Sequence, residues 1–118
     1  MPQDTNLIMA AAAAVTADAN GTTKDFGGPD VNAHTYLLNC TLVSGTNPTL
    51  DVEIEESDDD STWRNFLTFK RITAAGQEYV TGRSNARYRR AVFDIGGTDT
   101  PTFTCSVEVV AAGRYQQF

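Results

Sequence analysis

Seven of the fifteen acidic residues fall within Asp51-Val-Glu-Ile-Glu-Glu-Ser-Asp-Asp-Asp-Ser-Thr-Trp63, and any chemistry of this chain would be sought there first. Asp58, Asp59 and Asp60 could chelate Ca2+, a hard cation that takes oxygen ligands. The stretch lacks the D-x-[DN]-x-[DN]-G spacing of an EF-hand loop. A turn in which Ser57, the three Asp residues and Ser61 bond their own backbone fits it better. Glycoside hydrolysis needs two carboxylates facing each other across a cleft, whereas these acids crowd onto one hairpin. His34 is the single histidine, and its place on an alternating strand marks it as a half-buried structural residue. No G-x-S-x-G elbow presents a serine nucleophile. The expectation is a protein without catalytic residues, cofactor or metal. Trp63, Tyr79 or Tyr88 could stack on a sugar, although a Trp just after a Ser/Asp turn reads as a core aromatic.

The basic residues form the complement. Arg64, Lys70, Arg71, Arg83, Arg87, Arg89 and Arg90 are seven of the nine Lys and Arg residues. Residues 1–60 carry one Lys against eleven acids, a formal −10, and residues 61–118 carry eight basic residues against four acids, +4. Arg with Tyr in Arg87-Tyr-Arg-Arg90 could grip phosphates and bases. Strand alternation, however, puts Arg87 and Arg89 on one face and Tyr88 and Arg90 on the other. A net −6 also runs against nonspecific nucleic-acid binding. Pairing of these guanidiniums with the acidic hairpin, in the same subunit or a neighbour, is the favoured reading. Asp58, Asp59, Asp60, Arg87, Arg89 and Arg90 are therefore candidate interface residues. Tyr115 and Phe118 join them as aromatic anchors in the C-terminal tail.

The elements that must position these residues are strands. Period-two alternation dominates and helical periodicity is scarce. Strands are expected near 10–18, 22–26, 33–43, 49–56, 63–72, 77–82, 87–95 and 102–110. Asn20-Gly21 reads as a hairpin turn. Ser44-Gly-Thr-Asn-Pro48 and Gly96-Gly-Thr-Asp-Thr-Pro101 read as turns as well. On the 33–43 strand, His34, Tyr36, Leu38, Cys40 and Leu42 share one face. In the last strand Phe103, Cys105, Val107 and Val109 point inward. About eight strands at this spacing predict an all-β antiparallel sandwich or jelly roll, one domain over 1–118, with terminal arms near 1–9 and 111–118. Cys40 and Cys105 read as small buried apolar fillers, thiols rather than a disulfide. No apolar run is long enough for a transmembrane helix, and the apolar segment Leu7–Val15 lacks the preceding positive charge of a signal peptide.

From Leu50 to Val110 the succession Leu-Asp-Val-Glu-Ile-Glu-Glu-Ser-Asp-Asp-Asp-Ser-Thr-Trp63, Ile72-Thr-Ala-Ala-Gly76, Arg87-Tyr-Arg-Arg-Ala-Val92 and Pro101-Thr-Phe-Thr-Cys-Ser-Val107 resembles small virion proteins of tailed bacteriophages. The nearest in kind are jelly-roll capsid decoration, or cement, proteins. That resemblance covers about half the chain. It implies a protein on the outer surface of the phage head, assembled in the host cytoplasm, that bridges and stabilises subunits of the major capsid protein. It implies a homo-oligomer, dimer or trimer, without nucleic-acid or membrane partners. Two rival readings remain: a tail, neck or connector protein, and a carbohydrate-binding sandwich module.

Overall fold

The computed structural model describes residues 8–30 and 32–112, and every regular element in that span is a strand. In chain order these are β1 (Ile8–Val15), β2 (Ala19–Asn20), β3 (Lys24–Asp25), β4 (His34–Ser57), β5 (Arg64–Thr68), β6 (Gly76–Gly82) and β7 (Tyr88–Ala112). Among the described residues no helix is long and apolar enough to cross a membrane. The fold is all-β and antiparallel, as the alternation predicts.

Two strands organise everything else. β4 and β7 pair from His34 opposite Ala112 to Ser57 opposite Tyr88, with one register shift at Thr35/Tyr36 and three more between Cys40 and Thr49. Their other neighbours change at this point. Toward one end β6 flanks β4 at 34–40 and β1 flanks β7 at 103–108. Toward the other, β5 flanks β4 at 53–56 while β2 and β3 flank β7. The long ribbon thus bends through two layers, in the order β6-β4-β7-β1 and β5-β4-β7-β2/β3. Each layer has four lanes, but the strands number seven in one hydrogen-bonded sheet, against about eight expected, because β4 and β7 each run through both layers. One core joins them, with Tyr36, Leu38, Phe103 and Val107 from the first layer and Leu50, Val52, Ile54 and Phe93 from the second. This is a sandwich-like arrangement.

The segments expected to be turns are the corner of that ribbon. Gly45 and Gly97 have φ of 108° and 118°, conformations that favour glycine. A Cβ on Gly45 would lie 2.7 Å from Pro101 Cα, and one on Gly97 would lie 3.0 Å from Pro48 Cα. Each strand's glycine therefore receives the other strand's proline. The Thr46 hydroxyl donates to Asp99 across the same bend. Gly, Asn and Pro suit a sharp strand bend as well as a reverse turn, which is why local composition does not distinguish the two.

Three expectations change. Asn20-Gly21 closes no hairpin: β1 pairs with the C-terminal half of β7, while β2 and β3 pair with its N-terminal half. The segment instead crosses between layers, with Gly21 N donating to Ala91 O and Thr22 N to Met9 O. Next, the register slips between Cys40 and Leu42. This bulge reverses the inside–outside phase, so Leu42 is 63% exposed and Val43 packs against the core instead. Finally, Met9, placed in an N-terminal arm by sequence, is fully buried in the core. Tyr115, Phe118 and residues 1–7 lie outside the described residues.

Candidate interaction surface

The outer face of the β5-β4-β7-β2/β3 layer gathers most of the charged candidates. Alternation turns Asp51, Glu53 and Glu55 outward from β4, because Leu50, Val52 and Ile54 face the core. Arg90, opposite Glu55 in the ladder, bonds it at 3.0 Å through Nε. Arg71 grips Asp51 with two nitrogens, at 3.0 and 2.8 Å, and this holds the Asp51 carboxyl below its ordinary range. Arg64 donates to Glu56 at 2.7 Å and lies 3.5 Å from Asp58. At the same end of the sandwich Arg87 clasps Asp25 with two bonds of 2.8 Å. That contact, aided by the Gly27 amide, draws the Asp25 carboxyl down to about 2. The acidic stretch therefore meets its guanidiniums within one chain. Exposed pairs of this kind contribute little to stability.

The turn that ends the acidic stretch is held by its own side chains. Asp59 Oδ1 accepts from the amides of Ser61 and Thr62 and from the Ser57 hydroxyl, and these donors lower its pKa. Asp60 takes a left-handed φ of 61°. Asp58, Asp59 and Asp60 are all exposed. Among the described residues no group of three or more His, Cys, Asp or Glu is arranged to hold a metal. Trp63 is not the core anchor that its position after the turn suggests. It sits half-buried, with the Arg90 guanidinium 4.2 Å above its ring. A strand entered straight from a turn has an outer face as well as an inner one, and Arg90 supplies the cover.

Arg89 has an internal role. Its side chain is 0% exposed and donates to Asp30 at 2.7 Å, Tyr36 OH at 3.1 Å and Ala86 O at 3.1 Å, while the guanidinium lies 4.0 Å over the Phe26 ring. Asp30 also accepts from the Ser84 amide at 2.9 Å. His34 Nδ1 lies 3.2 Å from Asp30, within ion-pair distance but outside hydrogen-bond geometry. Burial raises the Tyr36 hydroxyl to about 12 against the opposing pull of Arg89. This cluster ties Phe26 and Asp30, and the 83–87 loop, to β4 and β7. A side chain so enclosed offers nothing to a partner, which removes Arg89 from the candidate interface.

The opposite outer face, that of the β6-β4-β7-β1 layer, is of another kind. Thr35, Leu37, Asn39, Leu42, Gln77, Tyr79, Thr81, Thr104, Ser106, Glu108 and Val110 point away from the core, and among these described residues Glu108 alone carries a charge. Thr35 bonds Thr81 at 2.8 Å, Gln77 approaches Asn39 at 3.5 Å and Tyr79 OH approaches Gln77 at 3.4 Å. Leu42, Tyr79 and Val110 are the large hydrophobics most exposed among the described residues, at 63%, 57% and 38%. All three lie on this face. Leu37 is buried yet stands apart from the core cluster, so its outer-face neighbours cover it. The charge-led reading passed over this surface. The signal was the absence of charge at alternate positions of 35–41 and 102–106.

Cys40 and Cys105 are free thiols directly opposite each other in the β4–β7 ladder, both buried. Burial pushes both thiols up, Cys105 to about 11. Asp94 stands opposite Asp51, and its carboxyl is raised chiefly by the charge of Asp18. No protein-family model and no curated protein matches the chain.

Proposed function

We propose that this chain is a structural protein of a tailed-bacteriophage virion, a capsid decoration protein that binds the outer surface of the head and bridges and stabilises major capsid subunits. One observation carries the reading: Arg64, Arg71, Arg87, Arg89 and Arg90 are each paired with a carboxylate of the same chain, while a separate outer face, charged only at Glu108 among the described residues, gathers the exposed apolar side chains. Such a division suits static assembly. Guanidiniums and carboxylates committed to each other are poor general acids, bases or nucleophile activators, which favours a non-catalytic role. The lane order β6-β4-β7-β1 over β5-β4-β7-β2/β3 is what a paired ribbon rolled on itself produces, and it supports a jelly roll.

The direct test adds purified protein to heads stripped of decoration. Saturable binding with raised resistance to heat or chelators is expected, and heads that ignore micromolar protein would sink the idea. Copy number separates this from a tail, neck or connector role, since a cement covers the shell and a connector forms one ring. A carbohydrate-binding module is the second reading, now confined to Tyr79. Trp63 lies under Arg90, and Arg87 stands 5.2 Å from the Tyr88 ring, whereas Tyr79 is exposed beside the amides of Gln77 and Asn39. A glycan array without hits removes it.

A further inference from the structure

We infer that the uncharged outer face of the β6-β4-β7-β1 layer is a self-association surface, and that its occupant is a second copy of this chain packed face to face about a two-fold axis. The inference rests on the reading of the chain as an assembly protein, though not on its place in a virion. A two-fold interface must complement itself, because each patch meets its own image. Hydroxyls and amides satisfy this by chemistry, since Ser, Thr, Tyr, Asn and Gln each donate and accept. Carboxylates only accept and guanidiniums only donate.

Charge excludes the other layer. Two copies meeting through the β5-β4-β7-β2/β3 face would have to desolvate the Arg71–Asp51 and Arg90–Glu55 pairs together with the carboxylates of Glu53 and Asp94, a cost that ion pairing does not reliably offset. Across the uncharged face, Glu108 alone needs accommodation. The apolar contribution is present as well. The bulge after Cys40 turns Leu42 out of the core, and Tyr79 on β6 and Val110 on β7 complete the exposed set. Tyr is among the residues that most often anchor interfaces, because it buries much area at little entropic cost.

Size sets the strength. Four lanes at about 4.8 Å spacing, each roughly seven residues long at about 3.3 Å per residue, span about 19 by 23 Å. That projected area falls below the ~800 Å² per partner of a standard tight interface, so association in the micromolar range or weaker follows.

Sedimentation velocity on the full chain, from about 10 μM to about 1 mM, brackets an interface of this size. A concentration-dependent monomer-to-dimer shift is expected. It should persist in about 1 M NaCl, where the Debye length is about 3 Å and exposed ion pairs are screened. Tyr79→Lys and Leu42→Lys, on different strands, should each weaken the dimer at least tenfold while the far-ultraviolet circular dichroism stays unchanged. The double variant Asp58→Asn, Asp60→Asn should leave dimerisation as it was. A monomer across the whole range, a dimer dispersed by salt, or a dimer indifferent to either Lys variant overturns the inference. Heads separate the two readings: a monomer that decorates them defeats this inference alone, and a dimer that ignores them defeats the virion reading alone.

Discussion

Arg89 and Asp30, fifty-nine positions apart in sequence, meet at 2.7 Å with both side chains out of solvent. The pair joins the loop before β4 to the start of β7, at the end of the sandwich where the acidic turn also lies. Arg89→Met keeps the volume but leaves Asp30 buried without its cation, which costs about 3–5 kcal/mol. Chemical denaturation should record that loss, and the double variant Arg89→Met, Asp30→Asn should recover part of it. A loss below about 1 kcal/mol in the single variant would mean that the pair is solvated in solution.

The ribbon corner yields a second prediction. At Gly45 and Gly97 an added methyl meets both a left-handed φ and a backbone atom of the facing strand. Gly45→Ala and Gly97→Ala should each lower stability by about 1–3 kcal/mol. Gly76→Ala, at a φ of 158° but with open space around its Cβ, serves as a control that carries the backbone change without the clash. Equal melting temperatures for all three would contradict the corner geometry.

Asp94 should destabilise the fold at neutral pH. Its carboxyl is raised in the folded state, first by the facing charge of Asp18, then by desolvation and by Asp51. A carboxyl raised on folding is favourable below its unfolded pKa, and that contribution is lost as pH rises through the folded value. Asp94→Asn should therefore raise the melting temperature at pH 7 and leave it unchanged near pH 3. A variant that is less stable at pH 7 would refute the repulsion.

The two thiols should be inert in the folded protein. Thiolate is the reactive form, and burial holds the Cys105 thiol near about 11. A disulfide reagent at pH 8 should label Cys40 and Cys105 slowly in the native chain, and both at once after denaturation. Prompt native labelling of either would show that the ladder opens at this point.

How much of this could be read from sequence depended on range. Alternation gave the correct inward set Phe103, Cys105, Val107 and Val109, and it placed Arg89 with Ala91 and Phe93, because pleat phase is a local property. It failed at Leu42, where one inserted residue reversed the phase, and sequence does not mark a bulge that carries no glycine. Trp63 was misplaced because its cover, Arg90, comes from β7. The pairing of the acidic stretch with the Arg cluster was expected in kind, but the partners were not: Glu55 with Arg90, Asp51 with Arg71 and Arg89 with a lone Asp30 need the register of strands that sequence leaves open. The uncharged face was hardest to see, since it is defined by what several distant strands lack.

The two long strands also set how the chain can reach its native state. The pairs nearest in sequence between β4 and β7 are Ser57 and Tyr88, so the ribbon closes a loop of roughly 30 residues before its first rung forms. Closing such a loop costs about 3 kcal/mol of chain entropy. Zippering then proceeds one way, from the acidic turn through the glycine–proline corner to His34 and Ala112. The chain should accordingly be a slow folder, on a scale of milliseconds to seconds. During that wait the alanine-rich β1, an edge strand without a charged residue, is open to pairing with a neighbour.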